Sequence, residues 1–370
     1  MHSDVAIIGG GLAGLISAAL LAKNGLNVAV FEKKTYPFHR VCGEYISNEV
    51  KGFLIRESLY PDELKPSKIN NLLLTSTSGN KVDVPLKMGG FGISRFKLDH
   101  FLAQKAVAAG CNLQTGIAVE SVKKQVDHLQ VNLMDGSIHQ TNLVIGSFGK
   151  RSNLGRNEGN DSTSSPYYAV KYHINTDFPD DLIALHNFKN GYCGLSKVEG
   201  QHFNLCYMSH VSNIKKHKTI EAVEENVLYK NPHLKHIFLN SDFLFEKPVT
   251  INQISFTKKP LIKDGLIMCG DAAGMITPLC GNGMAMAIHS AKVLSEYILR
   301  EKSLDEPAKW RIEHQYQQFW NSTYKNRLMM GRAFQRLFGG ALTSEIAVGL
   351  MKTPLSQTLI SLTHGRYLSA

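Results

Sequence analysis

The sequence predicts an α/β protein in which a Rossmann-like nucleotide-binding domain is interleaved with a β-sheet domain and followed by a helical C-terminal segment. Three observations predict it. The run Asp4-Val5-Ala6-Ile7-Ile8 enters Gly9-Gly10-Gly11-Leu12-Ala13-Gly14 and then an apolar stretch from Leu15 to Ala22. A second run of the same type, Gly265-Leu266-Ile267-Met268-Cys269, leads through Gly270-Asp271-Ala272-Ala273-Gly274 to a helical stretch from Met284 to Leu299. Between them lie short segments rich in β-branched and aromatic residues, such as Leu72 to Thr75, Ala169 to Ile174 and Phe203 to Tyr207.

The first βαβ unit can be justified residue by residue. Asp4 to Ile8 is too short for a helix and reads as a buried strand. Gly9 permits the tight turn, Gly11 lets a pyrophosphate approach the backbone, and Gly14 permits close helix–strand packing. The helix start offers free N–H groups and positive potential to phosphates. A second strand, Asn27 to Phe31, ends in Glu32, eighteen positions after Gly14, where a carboxylate can accept hydrogen bonds from a ribose diol. This fingerprint does not by itself separate NAD from FAD.

The second motif separates them. Gly270-Asp271-Ala272-Ala273-Gly274 followed by Pro278-Leu279-Cys280-Gly281-Asn282-Gly283 resembles the second FAD signature of the p-hydroxybenzoate hydroxylase and geranylgeranyl reductase superfamily. The resemblance implies a glutathione-reductase-type FAD-binding fold. It implies that Asp271 binds the ribityl chain and that the loop from Pro278 brings helix-start N–H groups to the pyrimidine edge of the flavin. Arg40-Val41-Cys42-Gly43-Glu44 resembles the reductase stretch that passes beside the isoalloxazine. Ser94 to Leu102 resembles the start of the helix whose arginine, here Arg95, approaches the cofactor. Cofactor contacts of a non-covalent FAD are thus expected at Gly9, Gly11, Ala13, Gly14, Glu32, Arg40, Cys42, Gly43, Arg95, Val119, Gly270, Asp271, Pro278, Gly281, Gly283 and Met284. Cys42 and Tyr45 are the candidate catalytic residues; Cys42 reads equally well as a small packing residue.

The chain departs from its superfamily at points that bear on chemistry. Phe148 stands where hydroxylases carry an aspartate linked to nicotinamide and FAD contacts, and Gly274 stands where many of them carry histidine. The Trp-x-Trp-x-Ile-Pro motif of flavin halogenases is excluded, because the chain's two tryptophans are Trp310 and Trp320. The aromatic motif lining the cavity of reductases survives only as the tyrosine of Gly191-Tyr192-Cys193-Gly194-Leu195-Ser196. The expected activity is oxidoreduction of an apolar, isoprenoid or lipid-like aromatic substrate, leaning to C=C reduction with hydroxylation as the alternative. NAD(P)H and a protein electron donor both stay open, and a non-enzymatic nucleotide binder is the competing class.

The motifs place the FAD-binding domain at 1–60, 95–150 and 255–300, the substrate domain at 61–94 and 151–254, and the C-terminal helical segment at 301–370. The polar stretch Asn157 to Ser165 reads as a loop. With 43% hydrophobic and 19% charged residues in 370, the chain can bury a large core, which excludes a disordered protein. Six separated cysteines show no zinc spacing and no disulfide framework, so no metal is expected. No apolar run reaches membrane-spanning length and no signal peptide is recognised, which points to a cytoplasmic protein.

A formal net charge of +10 suits anionic ligands or an anionic membrane surface, but no aromatic-interleaved basic motif points to nucleic acid. In the tail, no acid occurs between Glu313 and Glu345, while Lys325, Arg327, Arg332 and Arg336 intersperse with Met329, Met330, Phe334, Leu337 and Phe338. Such a basic helix can lie peripherally on a membrane or hold an anionic head group. The favoured alternative has its apolar face covering the substrate domain.

Overall fold

The computed structural model describes residues 2–150, 154, 166–254, 256, 259–275, 277, 281–335, 338–362, 365, 367 and 368. The polar stretch 157–165 lies outside them, as do Pro278, Cys280, Arg336 and Leu337.

Two sheets organise the described residues. The first is built on His2–Ile8, which pairs in parallel with Val28–Glu32 on one side and Ile138–Gly146 on the other. Asn112–Thr115 and Leu266–Met268 extend the parallel core outward. Val119–Lys124 and Leu129–Leu133 form an antiparallel flap on Ile138–Gly146. The central strands are buried on both faces, as their unbroken apolar runs require. The helix Leu12–Lys23 is apolar all round because it is covered all round: Leu12 through Ala22 are buried between the sheet and the helices Arg95–Ala108 and Gly283–Leu299.

The second sheet is mixed and runs Asp242–Phe243, Tyr167–Asn175, Phe203–His210, Gly191–Lys197, Leu182–Phe188, Ser67–Thr75, Lys81–Gly92 and Tyr45–Ser47, with Val249–Ile254 paired to Tyr167–Asn175. Alternation decides its two faces. Val170, Tyr172, Leu205 and Tyr207 pack outward against small helices between 220 and 239. Ala169, Lys171, His173, Asn204 and Met208 occupy the alternate positions. The strand Tyr45–Ser47 lies within the range 1–60 yet pairs with the second sheet, so the chain crosses between the sheets at residues 33–44.

The helix Glu306–Gln335 starts where Asp305 accepts the Ala308 N–H. It buries Ala308, Ile312, Tyr316, Trp320 and Tyr324, a stripe at i, i+4 spacing that packs on the core of the first sheet, not on the second. Of the residues of the expected apolar face, Met329 and Phe338 do not share one face, and Leu337 lies outside the described residues. Met329 is exposed, whereas Phe338 packs edge-on to Tyr192 on the second sheet. The reason is that the helix, described as far as Gln335, no longer holds at Phe338, and the chain turns at Gly339 (φ +82°), whose carbonyl accepts the Asn190 N–H. Arg327 points inward to Glu49 at 3.8 Å, while Lys325 and Arg332 are exposed. No helix among the described residues is long and apolar enough to cross a membrane.

Candidate functional site

The glycine turn closes because side chains are missing where backbones meet. A Cβ on Gly14 would lie 2.1 Å from the Gly9 carbonyl oxygen, and one on Gly9 (φ +104°) would lie 2.7 Å from the backbone of Phe148. Gly11 differs: a Cβ there meets only the Arg95 Nη2, at 3.7 Å. The helix that follows has no side-chain cap, so its first N–H groups are left for a ligand. These features form a cradle of backbone donors with one guanidinium on its open side, which fits a diphosphate. Ala13 is buried and abuts Gly270 (φ +63°), where an added Cβ would come 3.0 Å from its own.

A network of charges fixes the rim of the cradle. Glu32 ends its strand with Oε2 accepting the Gly10 N–H at 2.9 Å and Oε1 accepting the Lys34 N–H at 3.0 Å. Arg40 bridges this carboxylate (3.1 Å) and that of Asp99 (2.9 Å). Asp99, almost fully buried, also takes a bidentate pair from Arg95 at 2.6 and 2.8 Å. The Tyr36 hydroxyl donates to the Gly10 carbonyl, and burial followed by the Glu32 charge pushes its pKa up. Asp99 and Tyr36 join this network, although neither was among the expected cofactor contacts. Asp99 had a signal, since it stands four residues after Arg95 on one helix.

The turn at 42–44 lies between the two sheets. Cys42 is half-buried, its carbonyl accepting the Asn204 amide at 3.1 Å, and Gly43 is exposed. Tyr45 is buried: its hydroxyl donates to the Gly89 carbonyl at 3.3 Å and its ring abuts Gly281 (φ +64°). Burial followed by the Glu49 charge pushes the Tyr45 phenol up, which leaves a fixed donor rather than a mobile one. From the second motif, Gly270, Asp271 and Gly283 line one crevice with Gly274, Met286 and Trp320. Met284 is buried, and Asn282 opens the helix Gly283–Leu299 without a side-chain cap, a second uncapped helix start. Pro278 lies outside the described residues. Val119 packs half-buried on the first core, two residues past Ile117, whose N–H binds the Glu32 carbonyl.

Apolar residues adjoin this turn. Ala169, Tyr192, Met208 and Ile254 are buried together, with Val41 and Met275 packed on them from the turn and from the second motif. Among the described residues no group of His, Cys, Asp and Glu has the makings of a metal site.

Known proteins match this arrangement along most of its length. Residues 7–56 match a family model described as an NAD(P)-binding Rossmann-like domain, and residues 223–338 match the squalene epoxidase model. A digeranylgeranylglycerophospholipid reductase of Methanocaldococcus jannaschii is 25% identical over 353 residues, covering 90% of this chain and 86% of that protein. One from Thermoplasma volcanium is 28% identical, covering 80% and 78%. Among solved structures, the flavin-dependent brominase Bmp2 has a TM-score of 0.79 at 18% identity, covering 98% and 93%. A geranylgeranyl bacteriochlorophyll reductase-like protein from Thermoplasma acidophilum has 0.78 at 20%, covering 97% and 94%. These two share the fold. In its backbone cradle and in these matches the chain is similar to FAD-dependent oxidoreductases, whose Rossmann-like domain and fold it shares.

Proposed function

We propose that the protein reduces C=C bonds of an apolar, isoprenoid or lipid-like substrate. The observation that carries this reading is the apolar cluster of Ala169, Tyr192, Met208 and Ile254, joined by Val41 from the Cys42 turn and Met275 from the second FAD motif. A wall of this composition next to the flavin-side turn binds hydrocarbon and excludes water. The reductase names of the relatives support the same substrate class. Bound FAD would supply the electron pair. Gly9, Gly11 and Gly14 with the helix start would hold its diphosphate, Glu32 a ribose, and Asp271 the ribityl chain. Gly281, Gly283 and Met284 would meet the ring, Arg95 and Arg40 would set the rim, and Cys42 and Gly43 would face the reacting side. Hydroxylation is less well supported, since Phe148 and Gly274 replace the polar residues of hydroxylases.

The test uses purified protein. It should be yellow, release intact FAD on heating, and, once reduced anaerobically with dithionite, be reoxidised by prenylated lipids whose product gains two hydrogens per turnover by mass spectrometry. An oxygenated product, or reoxidation by phenols but not by prenyl chains, would overturn the reductase reading.

The electron donor is part of the proposal. Phe148 presses its backbone on Gly9 and packs apolar surface beside the cradle, so this position offers a nicotinamide a phenyl ring in place of a carboxylate. We expect slow reduction by NADPH or NADH alone and faster reduction by a protein donor or with substrate bound. Fast stopped-flow reduction by NADPH without substrate contradicts this.

A further inference from the structure

The turn beside Cys42 ends on a residue that neither the cradle nor the apolar wall uses. Glu44 is fully buried and holds a left-handed backbone (φ +54°), a conformation that a non-glycine residue keeps only when its surroundings impose it. Three groups impose it. The Lys171 ammonium donates to Oε1, His173 Nε2 lies 2.7 Å from Oε2, and the Arg95 N–H donates to Oε1 at 2.7 Å. Lys171 has no exposed surface, so Glu44 balances a charge that water cannot reach. The third contact lies at the first residue of the helix Arg95–Ala108, where the helix dipole favours a carboxylate.

Lys171 and His173 are two apart on one strand and therefore share a face of the second sheet. Asn204, opposite His173, clasps the Cys42 carbonyl from the same sheet. The preceding residues are pinned as well, with His39 packed against Phe96, Phe245 and His173 at ring distances of 4.6 to 5.1 Å. Arg95, anchored by its backbone on Glu44, sends its guanidinium to Asp99 and to the open side of Gly11.

We propose that Glu44, locked between Lys171 and His173, is a positioning residue that sets Arg95 and Cys42 against the cofactor cradle and ties the cradle to the second sheet. A buried ion pair contributes little net stability over apolar residues of the same volume, so stability alone gives no reason for charge here. What the pair adds is direction. The carboxylate has to sit where the helix start, the ammonium and the imidazole converge, and that point fixes where residues 42 to 44 run. The proposal rests on the FAD reading only for what occupies the cradle.

The test is the double variant Glu44→Leu with Lys171→Met, which removes both charges together, with unfolding temperature as the control. Two quantities are read. One is the rate of Cys42 alkylation by iodoacetamide in FAD-free protein, followed on the Cys42 peptide by mass spectrometry. The other is the FAD dissociation constant from quenching of flavin fluorescence. Folding should be retained while Cys42 alkylation speeds up severalfold, because the turn at 42–44 is released and its half-buried thiol gains exposure. The FAD dissociation constant should rise on the order of tenfold, as for coupled buried groups. Parent values for both in a folded double variant would show that Glu44 only fills space. If the parent itself binds no FAD, the cofactor reading fails while the alkylation rate still judges Glu44. Should the double variant unfold, His173→Asn frees Oε2, leaves the Lys171 pair intact and decides the question by the same two readings.

Discussion

At the residue scale, the glycine turn is an argument about missing atoms. Gly9, Gly10 and Gly14 are each closed to a Cβ by backbone or by a fixed side chain: Gly10 by the Tyr36 hydroxyl, Gly14 by the Gly9 carbonyl. Gly11 is left open toward Arg95, which is where a ligand can come closest. Gly14→Ala is therefore expected to destabilise the protein by about 1–3 kcal/mol, as overpacking does, and to abolish FAD retention by pushing the helix start off the strand. Urea unfolding and the flavin content of the purified variant check this; a normally flavinated Gly14→Ala protein would mean that the helix has room to shift.

At the scale of elements, the long helix Glu306–Gln335 serves the first sheet. Its stripe from Ala308 to Tyr324 is buried, and Trp320 lies beside Gly274 of the second FAD motif, 3.3 Å from where a Cβ would stand. Ile312→Ala should cost about 2–5 kcal/mol through the cavity it leaves, whereas Met329→Ala, on the exposed side of the same helix, should stay within about 0.5 kcal/mol of the parent. Equal effects of the two substitutions in chemical denaturation would mean that the helix does not dock as described. After Gln335 the chain leaves the first sheet, and Phe338 and Gly339 close on Tyr192 and Gly191 of the second. The C-terminal segment thus touches both sheets.

At the scale of the whole molecule, buried titratable groups set how stability varies with pH. Burial holds the His139 imidazole down at about 4, from an ordinary 6.5. Folding then binds fewer protons than unfolding, so this contribution is complete above pH 6.5 and is lost as pH falls toward 4. Burial works against the Glu44 charge, but Lys171 and His173 hold that carboxyl down at about 2, so its contribution is lost between pH 4.5 and 2. Glu224 runs the other way. Burial raises it to about 7 although the Tyr207 and Tyr172 hydroxyls oppose this, so its contribution is complete below pH 4.5 and fades as pH rises to 7. In urea midpoints measured against pH, His139→Gln should flatten the loss between 6.5 and 4, and Glu224→Gln should raise stability near pH 7 relative to pH 4.5. A Glu224→Gln profile parallel to that of the parent would contradict the buried proton.

What the sequence determined is local in origin. The strand, turn and helix of residues 2–23, the strand ending in Glu32 and the helix from Gly283 were legible because glycine conformations, unbroken apolar runs and a fixed acidic position act over a few residues. Cysteine spacing and charge counts are likewise independent of folding. The charge network needed the third dimension. Arg40 meets Asp99 across 59 positions, and Glu44 meets Lys171 across 127. A lysine inside the run Ala169 to Ile174 reads as an ordinary alternation until the facing carboxylate is seen. The tail shows the converse, because helical spacing gave Met329 and Phe338 a common face only if one helix continued through both. Phe338 is no longer helical, and the side chain of Met329 lies in solvent while that of Phe338 packs against the second sheet. Hydrophobic period says that a face will be buried, but which surface buries it is decided only when distant segments compete for the same place in the core.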